Sequence, residues 1–150
     1  MDDYMFKATN LIAETFEKYG IVFKVEDASK AEIITAGFHI DGGPSVSEWF
    51  ISSNDNNDVA VRIFGLITNT PEAKRPRVME ACNILNCEVR HLKFYMDDGN
   101  VNIDYDFPEC TPDEGVGKMA LEIFFRTMKT LDEKYGIFMK AIYTDEELVF

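Results

Sequence analysis

The sequence predicts an α+β fold, in which an antiparallel sheet of about five or six strands is covered by helices. The strongest observation is a hairpin over residues 91–107, where two segments of alternating apolar and polar residues flank Asp97-Asp98-Gly99-Asn100. Three further alternating segments, 32–41, 46–52 and 59–67, are joined by short polar connections and predict an antiparallel meander. Segments with apolar residues at intervals of three and four lie before and after these strands, which is typical of amphipathic helices.

The composition indicates one globular domain over residues 1–150. Hydrophobic residues make up 46% of the chain and include twelve phenylalanines, which is enough apolar surface for a core and argues against disorder. The 27 Asp and Glu outnumber the 15 Lys and Arg, so the formal net charge is −12. This charge repels the phosphates of nucleic acids and of anionic membranes, and we expect neither as a partner.

Three features predict a cytoplasmic protein. The first residues, Met1-Asp2-Asp3-Tyr4, carry acids where a signal peptide carries positive charge. No apolar run approaches the roughly 20 residues that a membrane helix needs. Three cysteines are an odd number and too few for a disulfide framework, so we expect them to be reduced: Cys82, Cys87 and Cys110.

A first helix is predicted over residues 3–19 and is followed at once by a strand over residues 21–25. Gly20 lies between them and suits the positive φ that often ends a helix, because glycine has no Cβ. The apolar face of this helix is predicted to consist of Met5, Thr9, Ile12, Phe16 and Tyr19. The meander follows the strand.

A second helix is predicted over residues 76–85, before the hairpin. Pro76 has no backbone N–H and is therefore tolerated in the first turn of a helix but not in its interior. Asn86 is predicted to cap the C-terminal end. The inner side of the helix is predicted to hold Val78, Cys82 and Leu85, with Met79 beside them.

A long final helix is predicted from Thr111 to Gly136, because Thr111-Pro112-Asp113-Glu114 is an N-terminal signal and Gly136 should end or kink it. After Gly136 we expect a separate short helix or strand, and a partly ordered tail over residues 143–150. One apolar stripe runs along the helix through Val116, Ala120, Ile123, Thr127, Leu131 and Tyr135.

A second apolar stripe on this helix, formed by Leu121, Phe125 and Met128, is the main functional signal in the sequence. A surface helix needs only one apolar stripe to pack on its own domain. Two explanations are open. The helix has a wide face packed on a broad sheet, or the second stripe is a surface for a partner or for self-association.

No catalytic, cofactor or metal site is predicted. Cys82, Cys87 and His91 lack the spacing of a zinc knuckle, and nothing in the sequence pairs a nucleophilic cysteine with His39 or His91. The glycines at 42–43 and 115–117 lack the spacing of a phosphate loop. Acids and amides in the hairpin alternate with apolar residues, which predicts a solvated strand face rather than a calcium loop: Asp98, Asn100, Asn102, Asp104 and Asp106.

Two segments resemble the bacterial YbjN family of sensory transduction regulator domains. They are Asn83-Ile84-Leu85-Asn86 and, after a short gap, Leu92-Lys93-Phe94-Tyr95-Met96-Asp97-Asp98-Gly99-Asn100-Val101. The order helix, strand, three-strand meander, helix, hairpin, helix is also similar, from the first helix to Tyr135. The resemblance implies a fold like that of type III secretion chaperones and a small acidic cytoplasmic domain that binds other polypeptides, as a monomer or a homodimer. It implies no catalytic residues.

Two functional hypotheses follow. The first is a non-enzymatic protein-binding module, chaperone-like or regulatory, that uses Leu121, Phe125 and Met128 to bind a protein or peptide partner or a second copy. The second is a small-ligand-sensing regulator or minor enzyme with a pocket between sheet and helices. An enclosed polar pocket on which Cys82, His39 or His91 converge would favour the second hypothesis, and a dry, filled core would contradict it. No cofactor is expected.

Overall fold

The computed structural model describes residues 4–149, and this part of the chain forms four α-helices, a short 3₁₀ helix and one six-stranded sheet. In chain order the elements are α1 (Lys7–Lys18), β1 (Phe23–Ala28), β2 (Ala31–His39), β3 (Ser45–Ser52), β4 (Val59–Ile67), the 3₁₀ helix (Glu72–Lys74), α2 (Arg75–Glu88), β5 (Lys93–Asp97), β6 (Asn100–Asp106), α3 (Asp113–Lys134) and α4 (Gly136–Tyr143).

The sheet is antiparallel throughout and has the strand order β1-β2-β3-β4-β6-β5. The predicted α+β fold and its order of elements are therefore confirmed, with β1 added to the meander and the hairpin placed against β4. The hairpin turn is formed by Asp98 and Gly99, whose φ angles of 49° and 80° match the left-handed pair that a two-residue turn of this kind requires.

The core lies on one face of the sheet, between the strands and the helices. The ring of Phe16 on α1 lies 5.4 Å from that of Phe50 on β3 and 5.9 Å from that of Phe124 on α3. Phe124 also contacts Phe38 on β2, so four elements meet around these rings. The predicted apolar stripe of α3 is buried along its whole length: Val116, Ala120, Ile123, Thr127, Leu131 and Tyr135.

The start of α1 differs from the prediction. The helix begins at Lys7 rather than at residue 3, which lies outside the described residues, and Met5 is 75% exposed. The carboxylate of Glu32 on β2 explains this boundary, because it accepts hydrogen bonds from the backbone N–H groups of Met5 and Phe6 at 2.9 and 2.8 Å. These N–H groups are fixed to the sheet before the helix begins. Tyr19 is also exposed, just past the helix end, whereas Gly20 has the predicted positive φ, 72°.

The prediction that Asn86 caps the C-terminal end of α2 is wrong, because the helix continues to Glu88. Its side-chain amide instead pairs with the backbone of Phe94 on β5. The amide nitrogen donates to the Phe94 carbonyl at 2.8 Å, and the amide oxygen accepts from the Phe94 N–H at 2.7 Å. Since β5 is an edge strand, this side chain takes the place of a missing neighbouring strand at one residue.

The long final helix ends near Gly136, as predicted: α3 ends at Lys134, and the chain continues as a separate helix, α4, from Gly136. The segment beyond α4 returns toward α2: the Arg77 guanidinium donates to the carbonyl of Glu146 at 2.9 Å, and Leu148 is buried. Phe150, the last residue of the predicted tail, lies outside the described residues.

Replacing Asn86 tests its role at the sheet edge. We expect Asn86→Ala to lower the free energy of unfolding by about 1–2 kcal/mol, because two hydrogen bonds to Phe94 are lost. The control is Asn83→Ala, an exposed position on the same helix, where a change within about 0.5 kcal/mol is expected. Urea unfolding measures both variants, and equal losses would contradict the pairing.

Candidate functional site

The predicted partner surface lies beside a groove between α1 and α3. The groove has a volume of about 630 Å³, and its walls include Leu121 and Phe125 of the predicted stripe together with Tyr19. Phe125 is 48% exposed and Tyr19 is 56% exposed, which is high for large aromatic side chains. Met128, the third member of the stripe, is partly buried and is not part of the groove wall. The functional role of these residues stays a prediction.

The geometry of the two helices explains the groove. They run in the same direction, because Lys7 pairs with Asp113 at 3.0 Å near their starts and Phe16 meets Phe124 further along. Gly117 lies directly against Thr15, where a Cβ would have no room, so the helices approach closely there. α1 then ends at Lys18, whereas α3 continues to Lys134, and the groove lies where α1 ends.

The burial of Phe124 bears on the two explanations of the second stripe, a wide buried face or a surface for a partner. This residue belongs to neither predicted stripe, yet it is buried against the sheet and α1. The wide inner face of α3 is therefore completed by Phe124. Phe125 lies next to it, with ring centroids 5.7 Å apart, and its side chain remains half exposed in the groove.

The charges around the groove differ from those of the chain as a whole. Three cations line it, Lys18, Lys118 and Arg126, against the single acid Glu122. The chain as a whole carries 15 cations and 27 acids. The Arg126 guanidinium lies 3.4 Å from the Glu122 carboxylate, and both side chains are more than half exposed, so this pair is weak.

A buried carboxyl that the sequence analysis missed lies beneath α3. Glu48 points from β3 into the core, opposite Ala36 of β2 and facing the hydroxyl of Thr127. Neither carboxylate oxygen has a hydrogen-bond partner among residues 4–149. Burial raises the pKa of Glu48 well above its usual value, and the Thr127 hydroxyl only partly opposes this. The alternation Val46, Glu48, Phe50 was the available signal.

The residues proposed for a polar pocket do not converge. Cys82 is buried in α2, and burial raises the pKa of its thiol to about 11, which disfavours the nucleophilic thiolate. His39 contacts Ser45 at the end of β2, whereas His91 lies just before β5 and packs on Tyr105. β2 and β5 are four strand spacings apart, or about 19 Å. Within residues 4–149, no group of three His, Cys, Asp or Glu is placed to hold a metal ion.

The polar strand face of the hairpin is less solvated than predicted. The side chain of Asp104 is only 18% exposed and forms ion pairs with Arg62 at 3.3 Å and Lys93 at 3.8 Å. Asn102 is buried, and its side-chain oxygen accepts a hydrogen bond from the N–H of Gly65 at 2.9 Å. Asp104 and Asn102 are therefore paired with residues of the neighbouring strands β4 and β5 across the outer face of the sheet.

The sequence profile of the YbjN family, described as "Putative bacterial sensory transduction regulator", matches residues 9–135. The chain belongs to the YbjN family. This confirms the resemblance found in the hairpin and the helix before it. The YbjN match extends from α1 to Tyr135, so both walls of the groove lie within it, and α4 lies outside. A comparison with curated proteins finds no match.

None of the helices in residues 4–149 combines the length and apolarity needed to cross a bilayer.

The buried carboxyl makes stability depend on pH in a defined direction. The unfolded glutamate has a pKa of about 4.3, and the folded pKa is higher. Below about pH 4 to 5, Glu48 is therefore protonated in both states, and the free energy of unfolding is not reduced by its ionisation. Stability is lost as pH rises towards the folded pKa, by up to about 1.4 kcal/mol per pH unit. We expect Glu48→Gln to remove this loss, so that the stability of this variant relative to the wild type increases as pH rises from the unfolded pKa towards the folded pKa.

Urea unfolding at several pH values measures this difference. The control is Glu17→Gln, which removes the same charge from an exposed position on α1. A constant difference between Glu48→Gln and the wild type, or equal curves for the two variants, would show that Glu48 is ionised in the folded protein.

Proposed function

We propose that this YbjN protein is a non-enzymatic protein-binding module, chaperone-like or regulatory, which binds a polypeptide in the groove between α1 and α3. The observation that carries this proposal is the half-exposed Phe125 beside Leu121 and Tyr19 in a groove between two helices. Full burial of a phenylalanine side chain contributes about 1.5–3 kcal/mol, so a partner that covers Phe125 gains a large part of that. An aromatic side chain placed in this way is typical of an anchor in an interface.

The shape of the surface favours a polypeptide. Leu121, Phe125 and Met128 are spaced at four and three residues and follow about 10 Å of the helix axis. That length corresponds to two turns of a partner helix, whose own apolar residues would recur with the same spacing. Helix-in-groove binding uses such anchors, and it requires no enclosed cavity.

The second hypothesis, a small-ligand-sensing regulator or minor enzyme, has less support. Convergence of titratable side chains between sheet and helices would favour it, whereas His39 lies on β2, His91 lies beside β5 at the other side of the sheet, and Cys82 is buried in α2. The buried carboxyl of Glu48 faces the hydroxyl of Thr127 within the packed core.

The groove is tested by Phe125→Asp, with Met79→Asp as the matched control. Met79 is likewise an exposed apolar side chain on a helix, but on α2. We expect Phe125→Asp to lose at least about tenfold in captured partner or in self-association, because a charge replaces the anchor, whereas Met79→Asp behaves as the wild type. Capture from native lysate by each immobilised variant, quantified against the wild type, and light scattering provide the measurements.

Circular dichroism shows whether a variant that loses binding is still folded. If Phe125→Asp unfolds the protein, Phe125→Ala replaces it, and loss of stability without loss of binding would identify Phe125 as a core residue. A monomeric wild type that captures the same proteins as both variants would contradict the proposal.

A further inference from the structure

Resting on the groove as the polypeptide-binding surface, we propose that its ligand is an acidic amphipathic segment, in which bulky apolar side chains are accompanied by a row of Asp and Glu. The groove is lined by three cations and one acid, in a chain whose net charge is −12. The local sign is thus opposite to that of the whole molecule. A partner with carboxylates at these positions is complementary to the groove, and one with ammonium groups is not.

The charged and apolar side chains form two adjacent rows on α3. Lys118, Glu122 and Arg126 recur at intervals of four residues, and Leu121 and Phe125 lie one position before the last two of them. Lys118 and Arg126 are about 12 Å apart along the helix axis. A partner helix lying along the apolar row therefore places carboxylates seven or eight residues apart against these two cations. Lys18 adds a third cation from the α1 wall.

These cations are available to a partner at little cost. The pair between Arg126 and Glu122 is exposed on both sides and separated by 3.4 Å, and pairs of this kind contribute only about 0.3–0.5 kcal/mol. Lys18 lies 5.6 Å from the ring centroid of Tyr19, so its charge is held near the apolar part of the groove. Exchange of Glu122 for a partner carboxylate covered by apolar groups gives Arg126 a less screened pair.

The net charge of the protein does not prevent this. At physiological salt the Debye length is about 8 Å, so acids on distant surfaces are screened while direct contacts in the groove are not. The overall charge therefore slows the encounter with an acidic segment more than it weakens the complex. It acts more strongly against an extended anionic surface such as a membrane, which would face many acids of the protein at once.

The test selects peptides without assuming their charge. Random displayed peptides of about 16 residues, four helical turns long, are selected on the immobilised wild-type protein and depleted on Phe125→Asp. We expect the enriched peptides to be acidic, with large apolar residues at intervals of three and four. Enrichment of neutral or basic peptides that depend on Phe125 would overturn the charge assignment and leave the groove intact. The absence of any Phe125-dependent peptide would overturn both proposals.

A charge reversal then tests the named cations. Labelled enriched peptide is titrated into the wild type, into Lys118→Glu/Arg126→Glu and into the control Lys30→Glu/Lys93→Glu, which changes the net charge equally at exposed strand and turn positions. We expect at least about tenfold weaker binding for the groove variant only, and recovery of binding with the peptide whose acids are replaced by lysines. Equal loss in both variants, or no recovery, would overturn the proposal.

Vesicles that contain phosphatidylserine distinguish the other anionic partner. Sedimentation of the wild type with such vesicles, lost in Lys118→Glu/Arg126→Glu while no acidic peptide is enriched, would assign the groove to a membrane surface and overturn the proposal. We expect no sedimentation of either protein.

Discussion

Gly117 of α3 lies against Thr15 and Leu11 of α1, and the missing Cβ at this position lets the two helix backbones approach closely. The helical side of the sheet depends on this contact. It brings Phe16 to Phe124 and to Phe50, so that helix, helix and strand share one aromatic cluster. A larger residue at 117 would force the helices apart by steric overlap, because interiors are close-packed. The groove beyond the end of α1 is a consequence of the same contact.

The strands could be predicted because their signal is local. Alternation of apolar and polar residues fixes which side chains face the core, and the Asp-Gly pair fixes the hairpin turn, as Asp98 and Gly99 show. The errors occur where a distant residue decides. The start of α1 depends on Glu32, which binds backbone groups of Met5 and Phe6 from 27 and 26 residues away. Asn86 was expected to cap a helix, but its side chain binds Phe94 on β5. The residues around Asn86 do not reveal this partner, because it belongs to another element.

The site was predictable only in part for the same reason. The spacing of Leu121, Phe125 and Met128 shows that α3 has more apolar surface than one stripe needs, but not which element lies beside it. The groove requires the end of α1, and the contact between α1 and α3 joins residues about 100 positions apart. Glu48 was visible as an acid in an apolar alternation. Its burial depends on the cover that α3 supplies through Thr127.

The two sides of α3 therefore each lower the stability of the domain, in different ways. Its inner side closes the core over a carboxyl without a hydrogen-bond partner, and burying such a group lowers stability, most of all when the group is charged. Its outer side leaves Phe125 half exposed, which also gives up stabilising burial. A partner that covers Phe125 supplies the missing burial on the outer side only. In the proposed complex, an unrelated apolar peptide would gain the same burial but no pairing with the groove cations, and specificity would rest on that difference.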